Sequence, residues 1–287
     1  MFTKRSKNGV IYYTSPLFDK YGITHIFATR TGGVSGGAFE SLNVSTARKD
    51  EYGNTDSARN VEENYRRALS VIGALPENSV AAKQVHEGTV LLMGTERAGR
   101  GILADFPEMP GGDGLVAKKG GGIDAVCVKT ADCVPILLKN IRTGDVSAVH
   151  AGWRGTASDI VTNAVSKLSD GKPEDVVAAI GPCIGRCCYE IGGEVYSRFE
   201  MLFKSKDRNY DMNMLFTLMP SCSMGGSTYL DLARANSELL CFAGVNPENI
   251  DVSGICTCCF SDEGVYPFFS HRASGGYSGT FVSAVAL

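Results

Sequence analysis

The sequence predicts an α+β fold of mixed β-sheets with flanking helices, organised as one domain over residues 1–287. Three observations carry this reading. Short β-branched and aromatic runs outnumber helical patterns. Several neighbouring runs are joined by very short connections, which suit antiparallel pairing rather than a doubly wound parallel sheet. The chain is 44% hydrophobic, enough for a large core, and no Pro/Ser-rich linker or repeat divides it.

The elements follow in order. GVIYYTS (9–15) and ITHIFAT (23–29) read as strands, followed by a glycine-rich loop, RTGGVSGG (30–37). DSARNVEENYRRALSVIGA (56–74) places Val61, Tyr65, Ala68, Leu69 and Ile72 close to a 3.6-residue period, so it reads as a helix. SVAAKQVH and TVLLMG read as two strands of a hairpin turning at Glu87-Gly88. GIDAVCVKTADCVPILLKN contributes two further apolar runs and DVSAVH another. TASDIVTNAVSKL then reads as a helix, VVAAIG as a strand, and EVYSRFEMLF and LDLARANSELLCFAG as helices. PFFSHR and TFVSAVAL read as closing strands.

The 28 basic and 31 acidic side chains are intermixed and give a net charge of −3, which argues against a polyanion-binding surface and nucleic acid. The N-terminus has basic residues but no long apolar segment, and no run approaches a membrane span. A soluble, cytoplasmic protein is expected, a monomer or weak homo-oligomer. Its ten cysteines are then expected to stay reduced, most serving as small apolar packing residues.

The chemistry concentrates around VPILLK (134–139) and DVSAVH (145–150), joined by a short polar connection. A four-residue loop at 140–143 pairs Lys139 with Gly144 and sets Cys133 opposite His150. Directly opposed residues have Cβ atoms about 4.5–5.5 Å apart, whereas a slip of one residue turns the two side chains to opposite faces. Asp132 brings a carboxylate nearby, and His86, at another strand end, completes a His₂Cys set. Such a set suits zinc, and three ligands leave a fourth position open, as catalytic zinc sites require. Taken singly, each of these histidines reads more readily as a hydrogen-bonded structural residue and Cys133 as a packed thiol. His25, inside an apolar strand, reads as structural; His271 is a candidate for the pocket lining. Cys183, Cys187 and Cys188 form one further cluster with a three-residue ligand gap, and two such pairs make a structural Cys₄ zinc site. Cys256, Cys258 and Cys259 form another that lacks a clean CxxC…CxxC form and whose apolar flanks read as buried, so a second metal is the weaker reading. Arg30 with its glycine loop and Arg154 in the glycine-flanked HAGWRG are candidate anion binders, though no Walker or GxGxxG pattern accompanies them.

The motifs ATRTGGVSGG, SLNVS, KQVH, GGDGLV, TADCVPILL, VHAGWRG, AIGPCIGRCCYEIGGEV and ICT together resemble the YfiH/YlmD-type family, long labelled laccase-domain or multicopper polyphenol oxidoreductase proteins. TADCVPILL followed by VHAGWRG is the most specific part. The resemblance implies that His86, Cys133 and His150 bind zinc or copper, and that the fold is related to cysteine-hydrolase folds. It implies phosphorolysis of purine nucleosides (adenosine, inosine, guanosine or methylthioadenosine), with adenosine deamination as a second activity and phosphate as co-substrate. One branch of the family is instead linked to hydrolysis of a muramoyl–serine amide in peptidoglycan precursors. Asp132 or Asp113 would shuttle protons, and Arg30, Asn43, Gln84 and Arg154 would orient substrate. FFSHRASGGYSGT keeps Arg272 but lacks two arginines usual in this region of the family. A true multicopper oxidase needs about ten histidines for its copper cluster, against four here.

Overall fold

The computed structural model describes residues 1–219 and 227–287; Cys222 lies outside the described residues. The chain runs β1 (Thr3–Lys7), β2 (Val10–Thr14), α1 (Pro16–Lys20), β3 (His25–Ala28), α2 (Ala58–Ser70), β4 (Val80–Ala81), β5 (Val90–Met93), β6 (Gly114–Ala117), β7 (Ala125–Thr130), β8 (Val134–Asn140) and β9 (Val146–Ala151). It continues through α3 (Trp153–Ala157), α4 (Ile160–Ser169), β10 (Val176–Ile180), β11 (Glu190–Ile191), α5 (Gly193–Lys206), β12 (Phe216–Met219), β13 (Ser227–Leu230), α6 (Leu232–Phe242), β14 (Ile250–Val252) and β15 (Phe281–Ala286).

Two six-stranded sheets carry the fold, in the orders β1-β2-β3-β15-β7-β4 and β14-β10-β8-β9-β6-β5, beside a small β11-β13-β12 sheet. Both large sheets are mixed: β4 runs parallel to β7, β5 to β6 and β10 to β14, while the other pairs are antiparallel. The alternation of side chains sorts them into layers. Val126, Val128, Phe281 and Val285 of the first sheet meet Leu137, Ala148, Val177 and Ala179 of the second in one core between the sheets. The opposite face of the first sheet, with Cys127, Val282 and Ala284, packs on Val61, Tyr65 and Leu69 of α2. The opposite face of the second, with Ile136, Leu138 and Val149, packs on Val165 and Leu168 of α4 and Leu239 of α6. Burying each such large side chain contributes about 1.5–3 kcal/mol, so these faces, more than helix propensity, fix the layers. Among the described residues no helix is long and apolar enough to cross a membrane.

Three sequence expectations change, and one strand was not expected. The β8–β9 hairpin has a four-residue loop, but it is 141–144, closed by Asn140 N–H donating to Asp145 O at 2.9 Å. Gly144 sits inside the loop at φ +82°, and Asn140 Oδ1 accepts from the N–H groups of Arg142 and Thr143. A loop that needs Gly144 left-handed cannot spend it on a strand pair. Pro135, not Cys133, therefore lies opposite His150. The shift is by two residues, so Cys133 and His150 keep the same face, pointing into the layer between the sheets.

The expected hairpin about Glu87-Gly88 does not form: β4 belongs to the first sheet and β5 to the second, and residues 82–89 cross between them. PFFSHR is irregular rather than a strand, its Phe268 and Phe269 buried in the intersheet core. The strand pattern of TKRSK was not anticipated, because β1 is an edge strand exposed at all five positions and shows no apolar alternation.

Candidate metal centre

Two connections between the sheets and the end of one strand meet at one place. The β7–β8 connection brings Cys133, the end of β9 brings His150, and the crossing before β5 brings His86. Their donor atoms lie within 4.8 Å of one another. The two imidazole rings meet edge to face, with centroids 4.8 Å apart.

Asp113, fully buried just before β6, organises this cluster. Its Oδ1 accepts from His150 Nδ1 at 2.7 Å and from His86 N–H at 3.0 Å, and its Oδ2 accepts from the N–H groups of Val85 and Glu87. Three successive N–H groups closing on one carboxylate form an anion nest, which explains why His86 adopts a left-handed φ of 61°. Donation from Nδ1 to Asp113 turns His150 Nε2 toward Cys133 as the ring's ligating atom, the arrangement common behind metal-bound histidines. Gly152 lies two residues after His150, and a Cβ there would lie 3.1 Å from Cys133 Sγ and 3.5 Å from His86 Cδ2. Only glycine leaves the space between the donors open.

The electrostatics match a donor set. Burial pushes the Cys133 thiol up, but the charge of His150 and hydrogen bonds from His150 and His86 outweigh it and bring the thiol down to about 6. Burial likewise opposes the charge on His150, yet Cys133 and Asp113 raise it to about 9. Without metal the pair is thus thiolate and imidazolium. In chelator-treated protein, peptide-resolved alkylation of Cys133 is expected to rise with a midpoint near pH 6, so that about 90% is thiolate at pH 7. A midpoint near the ordinary thiol value of 9 would show that the two rings do not act on Cys133.

A cavity of about 190 Å³ opens on His86 and Cys133 and is walled by Trp153, Tyr189, Leu232, Arg48 and His271. A larger one, of about 480 Å³, is lined by neither histidine nor cysteine, so the chemistry belongs to the smaller. Asp132 lines the small cavity at φ +88°, its carboxylate accepting from Thr257 Oγ1 and from Arg272 N–H, both at 2.7 Å. It holds two wall segments together.

The remaining candidates lie elsewhere. Arg30 stacks on Phe269 and donates to Glu40 O. Asn43 is buried in a network with Asp56 and Thr280. Gln84 exchanges amide hydrogen bonds with the backbone of Lys129. Arg154 stacks on Trp153, its guanidinium 4.2 Å from the ring centroid. None of these four lines the cavity, and Asp113 stands behind the donors. His25 is buried, with Nε2 accepting from Ser15 N–H and Nδ1 meeting Ile23 O, a packing role. Arg48 and Tyr189 were missed by sequence reasoning: each comes from a loop distant in sequence, and no local pattern points to the cavity.

Known proteins share this architecture. The crystal structure of YlmD from Geobacillus stearothermophilus superposes with a TM-score of 0.84 at 30% identity, covering 99% of this chain and 98% of that one. A purine nucleoside phosphorylase of Bacteroides thetaiotaomicron is 31% identical over 92% of each chain. Adenosine deaminase RL5, from an unknown prokaryotic organism, is 31% identical over 88% of this chain and 90% of its own. The family model described as multi-copper polyphenol oxidoreductase laccase matches residues 24–287, and with these relatives it settles the kinship: the chain belongs to that family.

Proposed function

We propose that this chain is a zinc-dependent purine nucleoside phosphorylase acting on adenosine, inosine, guanosine or methylthioadenosine, with adenosine deamination as a second activity. It would work in the cytoplasm as a single-domain monomer or weak homo-oligomer. The observation that carries the reading is the open His86–Cys133–His150 cluster, backed by Asp113, in a chain whose relatives bear these two enzyme names. The donors fit the ion: two imidazoles and a thiolate suit zinc, Asp113 holds His150 Nδ1 so that Nε2 faces Cys133, and Gly152 leaves room. Copper fits the same donors. Zinc held there supplies Lewis acidity toward an oxygen of phosphate or water.

The chain's own residues do the rest. Trp153, Tyr189 and Leu232 offer an aromatic and apolar wall for a purine. Arg48, whose guanidinium meets His271 Nδ1 at 3.4 Å rather than a carboxylate, is available for phosphate. Burial and the charge of Arg48 lower the His271 pKa, which keeps that ring neutral at pH 7 and able to give or take a hydrogen bond at the rim. In phosphorolysis a phosphate oxygen bonds to the ribose anomeric carbon as the glycosidic bond breaks and the purine leaves with a proton. In deamination water bonds to C6 and ammonia leaves.

The depressed Cys133 thiol favours a second reading, a cysteine-type amide hydrolase of the muramoyl–serine kind, with the fold kinship to cysteine hydrolases that this entails. Metal-analysed protein incubated with adenosine and phosphate, with products resolved by chromatography, tests the first. Adenine, and inosine as a lesser product, are expected, both lost on chelation. A muramoyl–serine amide cleaved after chelation, with nucleosides untouched, would instead establish the second reading.

A further inference from the structure

We propose that Cys187, Cys188, Cys256 and Cys259 form a second, structural metal centre, a closed tetrathiolate zinc site distinct from the His86–Cys133–His150 cluster. Their four Sγ atoms lie within 4.8 Å of one another, with Cys187 and Cys259 3.5 Å apart. A tetrahedral ion with Zn–S near 2.3 Å has sulfur–sulfur edges of about 3.8 Å, so little movement is needed to accept one.

The backbone around the sulfurs is arranged as ligand loops are. Cys256-Thr257-Cys258-Cys259 is a C-x-x-C turn that gives its first and fourth thiols to the cluster and leaves Cys258 out. Gly185 N–H donates to Cys256 Sγ at 3.2 Å. Such an N–H···S bond offsets part of the negative charge that four thiolates keep around a divalent ion. At Gly185 a Cβ would stand 3.2 Å from both Cys187 Sγ and Cys256 Cβ, so the loop has closed onto the sulfurs as far as glycine allows. Cys183, buried one turn earlier, stays outside the group. Four thiolates and no open position make the closed, structural form of a zinc site. Zinc entry displaces the four thiol protons and changes no oxidation state. A Cys187–Cys259 disulfide would draw the sulfurs to about 2.05 Å and strand the other two thiols.

The position gives the ion a task. Tyr189, in the cavity wall, follows Cys188, and Arg272 donates to the carbonyls of Cys188 and Glu190. Thr257, which holds Asp132, sits inside the C-x-x-C turn. One ion would fasten both loops and with them one wall of the cavity.

The test needs no substrate, so its outcome is independent of the enzymatic reading. Protein made in zinc-supplemented medium and purified under reducing conditions is analysed by mass spectrometry for metal and for alkylated cysteines. Two zinc per chain are expected, falling to one in the double variant Cys187→Ser/Cys259→Ser and to a different one in His86→Ala/His150→Ala. In the unmutated protein, which sidesteps any folding defect, the exposed Cys187 and Cys259 resist iodoacetamide and become labelled as chelator withdraws zinc. Labelling that chelator does not change, zinc content that the double variant retains, or a Cys187–Cys259 disulfide in the reduced preparation would each overturn the proposal.

Discussion

Cys133→Ala is expected to leave a folded protein that holds no metal at the His86–Cys133–His150 cluster and whose phosphorolysis, on the proposed function, is lower by about a thousandfold. The magnitude follows from the several kcal/mol that a bound ion contributes to a developing charge, at about 1.4 kcal/mol per tenfold in rate. The other two donors are expected to match it in turnover but not in stability. His86 is exposed, so in metal-free protein His86→Ala should change stability by no more than about 0.5 kcal/mol, its remaining effect being the loss of whatever stability the bound ion adds. His150 is buried, and its loss leaves a carboxylate oxygen of Asp113 without its ring partner, which costs about 1–3 kcal/mol. Metal analysis, nucleoside turnover and thermal unfolding on the three variants separate these effects. If all three keep the unmutated zinc content at this cluster, the donor assignment is wrong.

The pairing of Cys133 with His150 was legible because strand alternation forgives an even error. The loop is one residue further along than its polarity suggests, which moves every pair by two, and both side chains remain on the intersheet face. An odd error would have separated them. Residues that act through backbone crossings were not legible in this way. His86 reads in sequence as the end of a hairpin strand, whereas its φ of 61° and its place come from the nest around Asp113, 27 residues away. The same holds for most of the cavity wall: Arg48 and Tyr189 reach it by packing between loops, for which no residue period exists, whereas His271 was a candidate from the sequence and does line it. Gln84 and Asn43 show the converse, since polar residues inside recognisable motifs are used here to complete the backbone hydrogen bonding of the scaffold.

Asp113→Asn is expected to lower zinc affinity and turnover by about 10–100-fold although the residue touches neither ion nor cavity. The carboxylate has four donors and no spare acceptor role: His150 Nδ1 and the N–H groups of Val85, His86 and Glu87. An amide of the same shape keeps one acceptor oxygen and turns an NH₂ toward at least one of those donors. Either His150 loses the partner that fixes its tautomer, or the His86 turn loses part of its nest. Burial raises the Asp113 pKa, but the His150 hydrogen bond and the backbone donors outweigh it and set the folded value below the ordinary 3.8. The sign follows directly: a depressed carboxyl contributes stability that is present above its unfolded pKa and is lost as the pH falls through the folded one. The unmutated, metal-free protein should therefore lose stability below about pH 4, and Asp113→Asn should be less stable at pH 7 with a flatter acid limb. Unfolding curves at pH 3–7 on both proteins, with zinc titrations at pH 7, check the two halves together. Full zinc affinity in Asp113→Asn would mean that the histidines orient themselves without it.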